Sequence, residues 1–175
     1  MKLLIMLAAG IAASSPVLAL ETEEIGRIEA RFGDKDISQP TLMVRSNGEE
    51  DATAFMMFPG GGFSDLSIAG VSLDSRRRLD LNLTYMSEAP GPETATLSVD
   101  IAYTPEETSG VWTSDEAGTL PVITFSTLIF EGDEGRAAGS FTALLCFAED
   151  YDEEPDSGNC RPIEGRFDTR FSVER

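Results

Sequence analysis

The stretch "GRAAGSFTALLCFAEDYDEEPDSGNCRPIEGRFDTRFSV", residues 135–173, decides the fold. Its first part puts Phe141, Ala143, Leu145 and Phe147 at every second position. Its last part does the same with Ile163, Gly165, Phe167 and Phe171, interleaved with Glu164, Arg166, Asp168 and Arg170. Side chains of a strand alternate between faces, so each run reads as a half-buried strand with one wet face. Laying both apolar faces on one core predicts an antiparallel hairpin of Arg136–Phe147 and Arg161–Val173. That pairing carries Cys146 towards Cys160, within the roughly 4.4–6.8 Å Cα separation that a disulfide needs. These are the only two cysteines of the chain. A loop holding Glu149, Asp150, Asp152, Glu153, Glu154 and Asp156 then projects from the end of the sheet.

The same period of two extends outward from this hairpin. Ile28, Ala30 and Phe32 alternate with Glu29 and Arg31, and Leu79, Leu81, Leu83 and Tyr85 with Arg78, Asp80, Asn82 and Thr84. Leu97, Val99, Ile101 and Tyr103 follow the same rule. Further strands are expected over 41–46, 52–58, 63–69 and 122–130, with a short extra one over 111–113. Turn chemistry separates them: "GDKD" from Gly33, "SNGEED" from Ser46, "PGGG" from Pro59 and "EGDEG" from Glu131. Gly132 and Gly135 are both available for positive φ in the last of these. No mature stretch of ten or more residues shows a helical stripe. The expectation is an all-β, single-domain antiparallel β-sandwich, or a small barrel, of nine or ten strands over residues 20–175.

Residues 1–19 read as a cleaved signal peptide. Lys2 precedes an apolar run over 3–13, Ser14-Ser15-Pro16 breaks it, and Val17-Leu18-Ala19 offers a cleavage site before Leu20. The run is shorter than the ~20 residues a membrane span needs, so no anchor is expected after cleavage. The short leader looks bacterial, and a periplasmic or secreted location follows. Such a compartment favours the disulfide.

Composition narrows the chemistry. There are 31 acidic against 13 basic residues, and no histidine, for a net charge of −18. That charge repels nucleic acids and anionic lipid surfaces. Lack of histidine removes Ser-His-Asp and Cys-His nucleophiles and every His-ligated metal site. Paired carboxylates and hard cations on oxygen ligands remain. No cofactor is expected.

Four features invite a functional reading. Asp150, Asp152 and Asp156 are candidates for weak calcium binding, although Pro155 and Arg161 occupy positions where an EF-hand loop needs Gly and Glu. Arg76, Arg77 and Arg78 could dock a carboxylate or sulfate of a partner, or could relieve acidic crowding. Trp112 could stack on a sugar or anchor an interface, or could plug the core. "FPGGGF", 58–63, lacks the Lys-Ser/Thr of a phosphate loop and reads as a turn. Asp65, Asp80 and Asp100 are the strand-borne acids to examine for hydrolysis, Asp80 and Asp100 being expected to face outward.

The segments "GRAAGSFTALLC", 135–146, and "CRPIEGRFDTRF", 160–171, resemble exported bacterial β-proteins that end in two Gly-x-Phe strands, the second reading roughly Ile-x-Gly-x-Phe. The resemblance implies a sandwich and export, and transfers no site residue. The functional expectation is an exported non-catalytic binding module for a protein or polysaccharide partner. Alternatives are a carboxylate-based hydrolase of a glycan or similar polymer, and a structural calcium-binding domain.

Overall fold

A computed structural model describes residues 21–106, 109–150 and 152–175. The expected signal peptide therefore lies outside the described residues. Among those residues there is no helix, and the chain forms eleven strands. These are β1 (Glu21–Phe32), β2 (Lys35–Ser46), β3 (Glu49–Ala52), β4 (Ala54–Gly60), β5 (Phe63–Val71) and β6 (Arg78–Tyr85). They continue with β7 (Thr96–Thr104), β8 (Val111–Thr113), β9 (Val122–Glu131), β10 (Glu134–Ala148) and β11 (Asp156–Glu174).

All eleven are hydrogen-bonded into one sheet, and that sheet doubles over on itself. One layer runs β3-β2-β1-β11-β10-β9 and the other β4-β5-β6-β7-β8. Two three-residue pairings join the layers at opposite ends of the β10–β11 hairpin. β4 lies parallel beside Ser172–Glu174, and β8 lies antiparallel beside Cys146–Ala148. The sandwich expectation holds, and the small-barrel option is corrected: among the described residues no closed barrel forms.

The β10–β11 hairpin pairs as the alternation requires. Phe141 stands opposite Gly165, Gly139 opposite Phe167 and Gly135 opposite Phe171. Each glycine leaves room for the ring across from it. A Cβ on Gly135 would come within 2.2 Å of Phe171 Cζ, and one on Gly165 within 2.6 Å of Phe141 Cζ. Gly135 therefore serves packing and has no positive φ, a correction to its expected turn role. The turn itself is Gly132-Asp133, with Gly132 at φ 64°.

Ile28, Phe32, Phe141, Phe167 and Phe171 of the first layer pack on Leu66, Ile68, Leu81, Leu83, Ile101 and Tyr103 of the second. The Phe32 ring meets Tyr103 at 5.2 Å and Trp112 at 5.0 Å. Burying such side chains contributes about 1.5–3 kcal/mol each against exposure.

Two elements differ from expectation. The run over 52–58 is broken at Thr53, which divides β3 from β4. Thr53 Oγ1 accepts the N–H of Leu42 and donates to the Ala69 carbonyl, both at 2.8 Å. One residue thus ties β2 to β5 where the chain leaves one layer for the other. The acidic Glu49-Glu50-Asp51, expected as a turn, becomes the edge strand β3. Asn47-Gly48, at φ 56° and 85°, makes a two-residue hairpin that folds it onto β2.

Cys146 and Cys160 are direct cross-strand partners, with Cα atoms 4.0 Å apart and their sulfurs bonded. The bridge sits beside a bulge that sets Phe147 opposite Asp156. Reduction is expected to lower the unfolding free energy by about 3 kcal/mol, the chain-entropy value for a loop of about 15 residues. Far-UV circular dichroism should still show the β spectrum. Global unfolding on reduction at 25 °C would contradict this.

Candidate functional site

The most structured polar cluster lies on the outer face of the second layer. There β5, β6 and β7 form three cross-strand rows: Asp65-Thr84-Ser98, Ser67-Asn82-Asp100 and Ala69-Asp80-Ala102. Asp80 and Asp100 are diagonal neighbours, a spacing of about 7–8 Å between such residues. Asp65 stands two rows from Asp80. Both Asp80 and Asp100 lie on the outward face, as expected, yet Asp80 is only 6% exposed. Small neighbours allow this. Ala69 and Ala102 flank it, and Arg78 reaches over it.

Arg78 Nε donates to both carboxylate oxygens of Asp80, at 2.6 and 2.8 Å. Burial nonetheless pushes the Asp80 carboxyl above its ordinary range, against the pull of Arg78, and the Asp100 charge adds to the rise. Asp100 is engaged separately. Ser114 Oγ donates to it at 3.0 Å and in turn accepts the N–H of Ile101 at 2.8 Å. Ser114 is buried, and sequence reasoning did not single it out. Its Ser-Asp-rich loop context hides the anchoring.

The arginine cluster divides. Arg78 serves Asp80, Arg77 reaches Glu106 at 3.6 Å, and Arg76 is exposed. Two of the three thus pair with acids of the same chain. Trp112 takes the core-plug reading: it is 7% exposed, meets Phe147 at 5.4 Å, and carries the Arg161 guanidinium 4.9 Å above its ring.

The acidic loop is solvated. Asp150 and Asp152 are exposed, and Asp156, expected in the loop, is exposed as the first residue of β11, where its carboxylate accepts the N–H of Gly158 at 2.9 Å. Among the described residues no group of three or more acids converges as a metal site. Gly60, Gly61 and Gly62, at φ 93°, 69° and 84°, form the β4–β5 turn.

The outer face of the first layer has a different character. Arginines and acids interlock across strands there: Arg166 with Glu29, Arg136 with Asp168, and Arg170 and Arg45 with Glu23. Hydrogen bonds from Arg170 and then Arg45 hold the Glu23 carboxyl below its ordinary value. A shallow cavity of about 610 Å³ crosses this face over Glu29, Arg31, Ser140, Thr142 and Arg166. It is open to solvent, and of its three acids Glu29 pairs with Arg166 and Asp36 with Arg31, with Glu164 beside them.

The two free edges of the sheet contrast. β3 is four residues long and carries Glu49, Glu50 and Asp51. β9 is ten residues long and has no charge from Val122 to Phe130. Val122 is 59% and Ile129 63% exposed, and Leu120 just before the strand is 90% exposed. The sequence marked β9 only as a strand. Which strands end a sheet is a long-range property, so its free edge had no local signal.

Compared with known proteins, the chain matches no family model, no curated protein and no solved structure.

The Asp80 environment makes a signed prediction. A carboxyl raised above its unfolded value costs stability at high pH, and the cost is relieved as pH falls through the folded value. Asp80→Asn is therefore expected to gain on wild type as pH rises through that value, in unfolding free energies measured across pH. A pH-independent gap would contradict it. Arg78→Gln should destabilise by about 1–3 kcal/mol near neutral pH, by stranding the buried carboxylate.

Proposed function

We propose that the protein is an exported, non-catalytic interaction module that binds a protein partner along the free edge of β9. The observation that carries this reading is the edge itself: ten residues, unpaired on one side, uncharged over nine, in a chain of net charge −18. An exposed row of unpaired backbone groups is a template for another strand, and folds that do not use it cover, shorten or charge it. The opposite edge, β3, is shortened and charged. A protein partner is preferred to a polysaccharide because sugars stack on exposed aromatic rings. The described aromatic residues are all buried or half-buried. The disulfide is compatible with an oxidising compartment, and the periplasmic or secreted location and the kinship with exported bacterial β-proteins belong to this proposal.

The second reading is the carboxylate-based hydrolase, favoured by the diagonal placement of Asp80 and Asp100 with one acid shielded. Against it, Arg78 and Ser114 already occupy these acids, and none of the five described cavities is lined by either.

The two separate cleanly. A photo-crosslinking residue at position 129 in the exporting cell should give protein adducts that the same residue at position 142 does not. Equal adducts at both positions, or none at 129, would contradict the interaction reading. Polysaccharide cleavage lost in Asp100→Asn would instead establish the hydrolase.

A further inference from the structure

The free edge of β9 has an internal symmetry. Thr127 stands opposite Ala138 and Phe125 opposite Gly139, so Ser126 is an extra, bulged residue whose hydroxyl donates to the Ala138 carbonyl at 3.1 Å. The bulge reverses the alternation half-way along the strand. Before it, Ile123 and Phe125 face the core, and Val122 and Thr124 face outward. After it, Leu128 and Phe130 face the core, and Thr127, Ile129 and Glu131 face outward.

Two such strands, run antiparallel, fit each other. With a two-fold axis between Ser126 and Thr127, Ile123 meets Phe130 of the second copy and Phe125 meets Leu128. Thr124 meets Ile129, and Val122 meets Glu131. Directly opposed residues of an antiparallel ladder share a face, and every one of these pairs joins core side to core side or outer side to outer side. The backbone groups obey the same parity, so a residue that leaves its N–H and C=O free on this edge meets one that does the same. An unbulged strand fails in this register, because a one-residue slip sets inward side chains against outward ones. A foreign strand without a bulge leaves Ser126 unmatched a second time, as β10 does.

We infer that the partner of β9 is a second copy of the chain, added antiparallel about a two-fold axis at Ser126–Thr127. The inference rests on the interaction reading above and names its partner. Glu131, the one charged residue of the paired stretch, meets Val122, so no like charges stand opposite each other in the ladder. Val122 and Ile129, 59% and 63% exposed, each gain a cross-strand neighbour in both copies. The contact is isologous and closes on itself, leaving neither copy's β9 free. Each copy also brings a net charge of −18, whose repulsion is screened beyond about 8 Å at physiological ionic strength. The dimer therefore tightens with added salt, the reverse of a contact held by opposite charges.

The test is sedimentation equilibrium of the oxidised protein and of variants at the Thr124–Ile129 pair. Ile129→Lys is expected to weaken the dimer by about tenfold or more, because the changed pair occurs twice in an isologous contact. Adding Thr124→Glu should restore it, since each lysine then meets a glutamate of the other copy. Within one chain the two positions lie roughly 16 Å apart along the strand, too far to pair with each other. Circular dichroism checks each fold, and the reversed swap, Thr124→Lys with Ile129→Glu, serves where one variant does not fold. A monomer at every concentration and salt overturns the inference. So does a dimer indifferent to Ile129→Lys, one that the second change does not restore, or one that salt dissolves. Photo-crosslinks at position 129 separate this failure from that of the interaction reading. Adducts to other proteins from a monomeric chain leave the reading standing and remove the second copy. A monomer without adducts removes both.

Discussion

The constraint on which the fold rests is the interleaving of glycine and phenylalanine across β10 and β11. Phenylalanine at 141, 167 and 171 faces glycine at 165, 139 and 135 on the neighbouring strand. Each ring lies over a backbone with no Cβ, so three large rings share one face of a two-stranded ribbon. Any side chain at these glycines would force a ring out of place or a strand away. Interiors are packed too densely to absorb that without loss. The hairpin is the longest strand pair among the described residues, and every other strand is placed by it. β1 and β9 extend it sideways, and β4 and β8 attach at its two ends and carry the second layer over its aromatic face.

This arrangement also sorts the surface. The outer face of β1, β10 and β11 is wide enough for arginines to reach acids on adjacent strands, and most of the arginines are spent there. The second layer and the loops keep acids without that compensation. Where an acid is enclosed, as Asp80 is, one arginine comes with it. What remains free of charge is β9, placed last in its layer because β10 already has β11 on its other side. The strand addition proposed above uses the surface that this topology leaves over.

Much of this was readable from the residues. Alternation identified the strands, because a half-buried strand must write its two faces into every second position. The hairpin and the Cys146–Cys160 bridge followed from matching two such faces. The break at Thr53 was not readable, since its hydroxyl serves β2 and β5, neighbours only in the folded sheet. The burial of Asp80 was equally hidden: its sequence neighbours mark it as outward-facing, and Ala69 and Ala102, on other strands, decide how deep it lies. Trp112 stood in a loop-like stretch, and only the rings of Phe32 and Phe147 show it to be core. Gly135 looked like turn chemistry because Gly132 nearby is turn chemistry, and the ring that claims it lies 36 positions along the chain.

The central claim is that glycine and ring are fitted to each other across the hairpin. It is tested most directly by a double-mutant cycle between Gly135→Ala and Phe171→Leu, measured by denaturant unfolding of the oxidised protein. At Gly135 all three nearest atoms to an added Cβ belong to the Phe171 ring. The account predicts that each single change destabilises, and that the double costs less than their sum by at least about 1 kcal/mol, well beyond the ~0.3–0.5 kcal/mol scatter of independent sites. Costs that add within that scatter would contradict it.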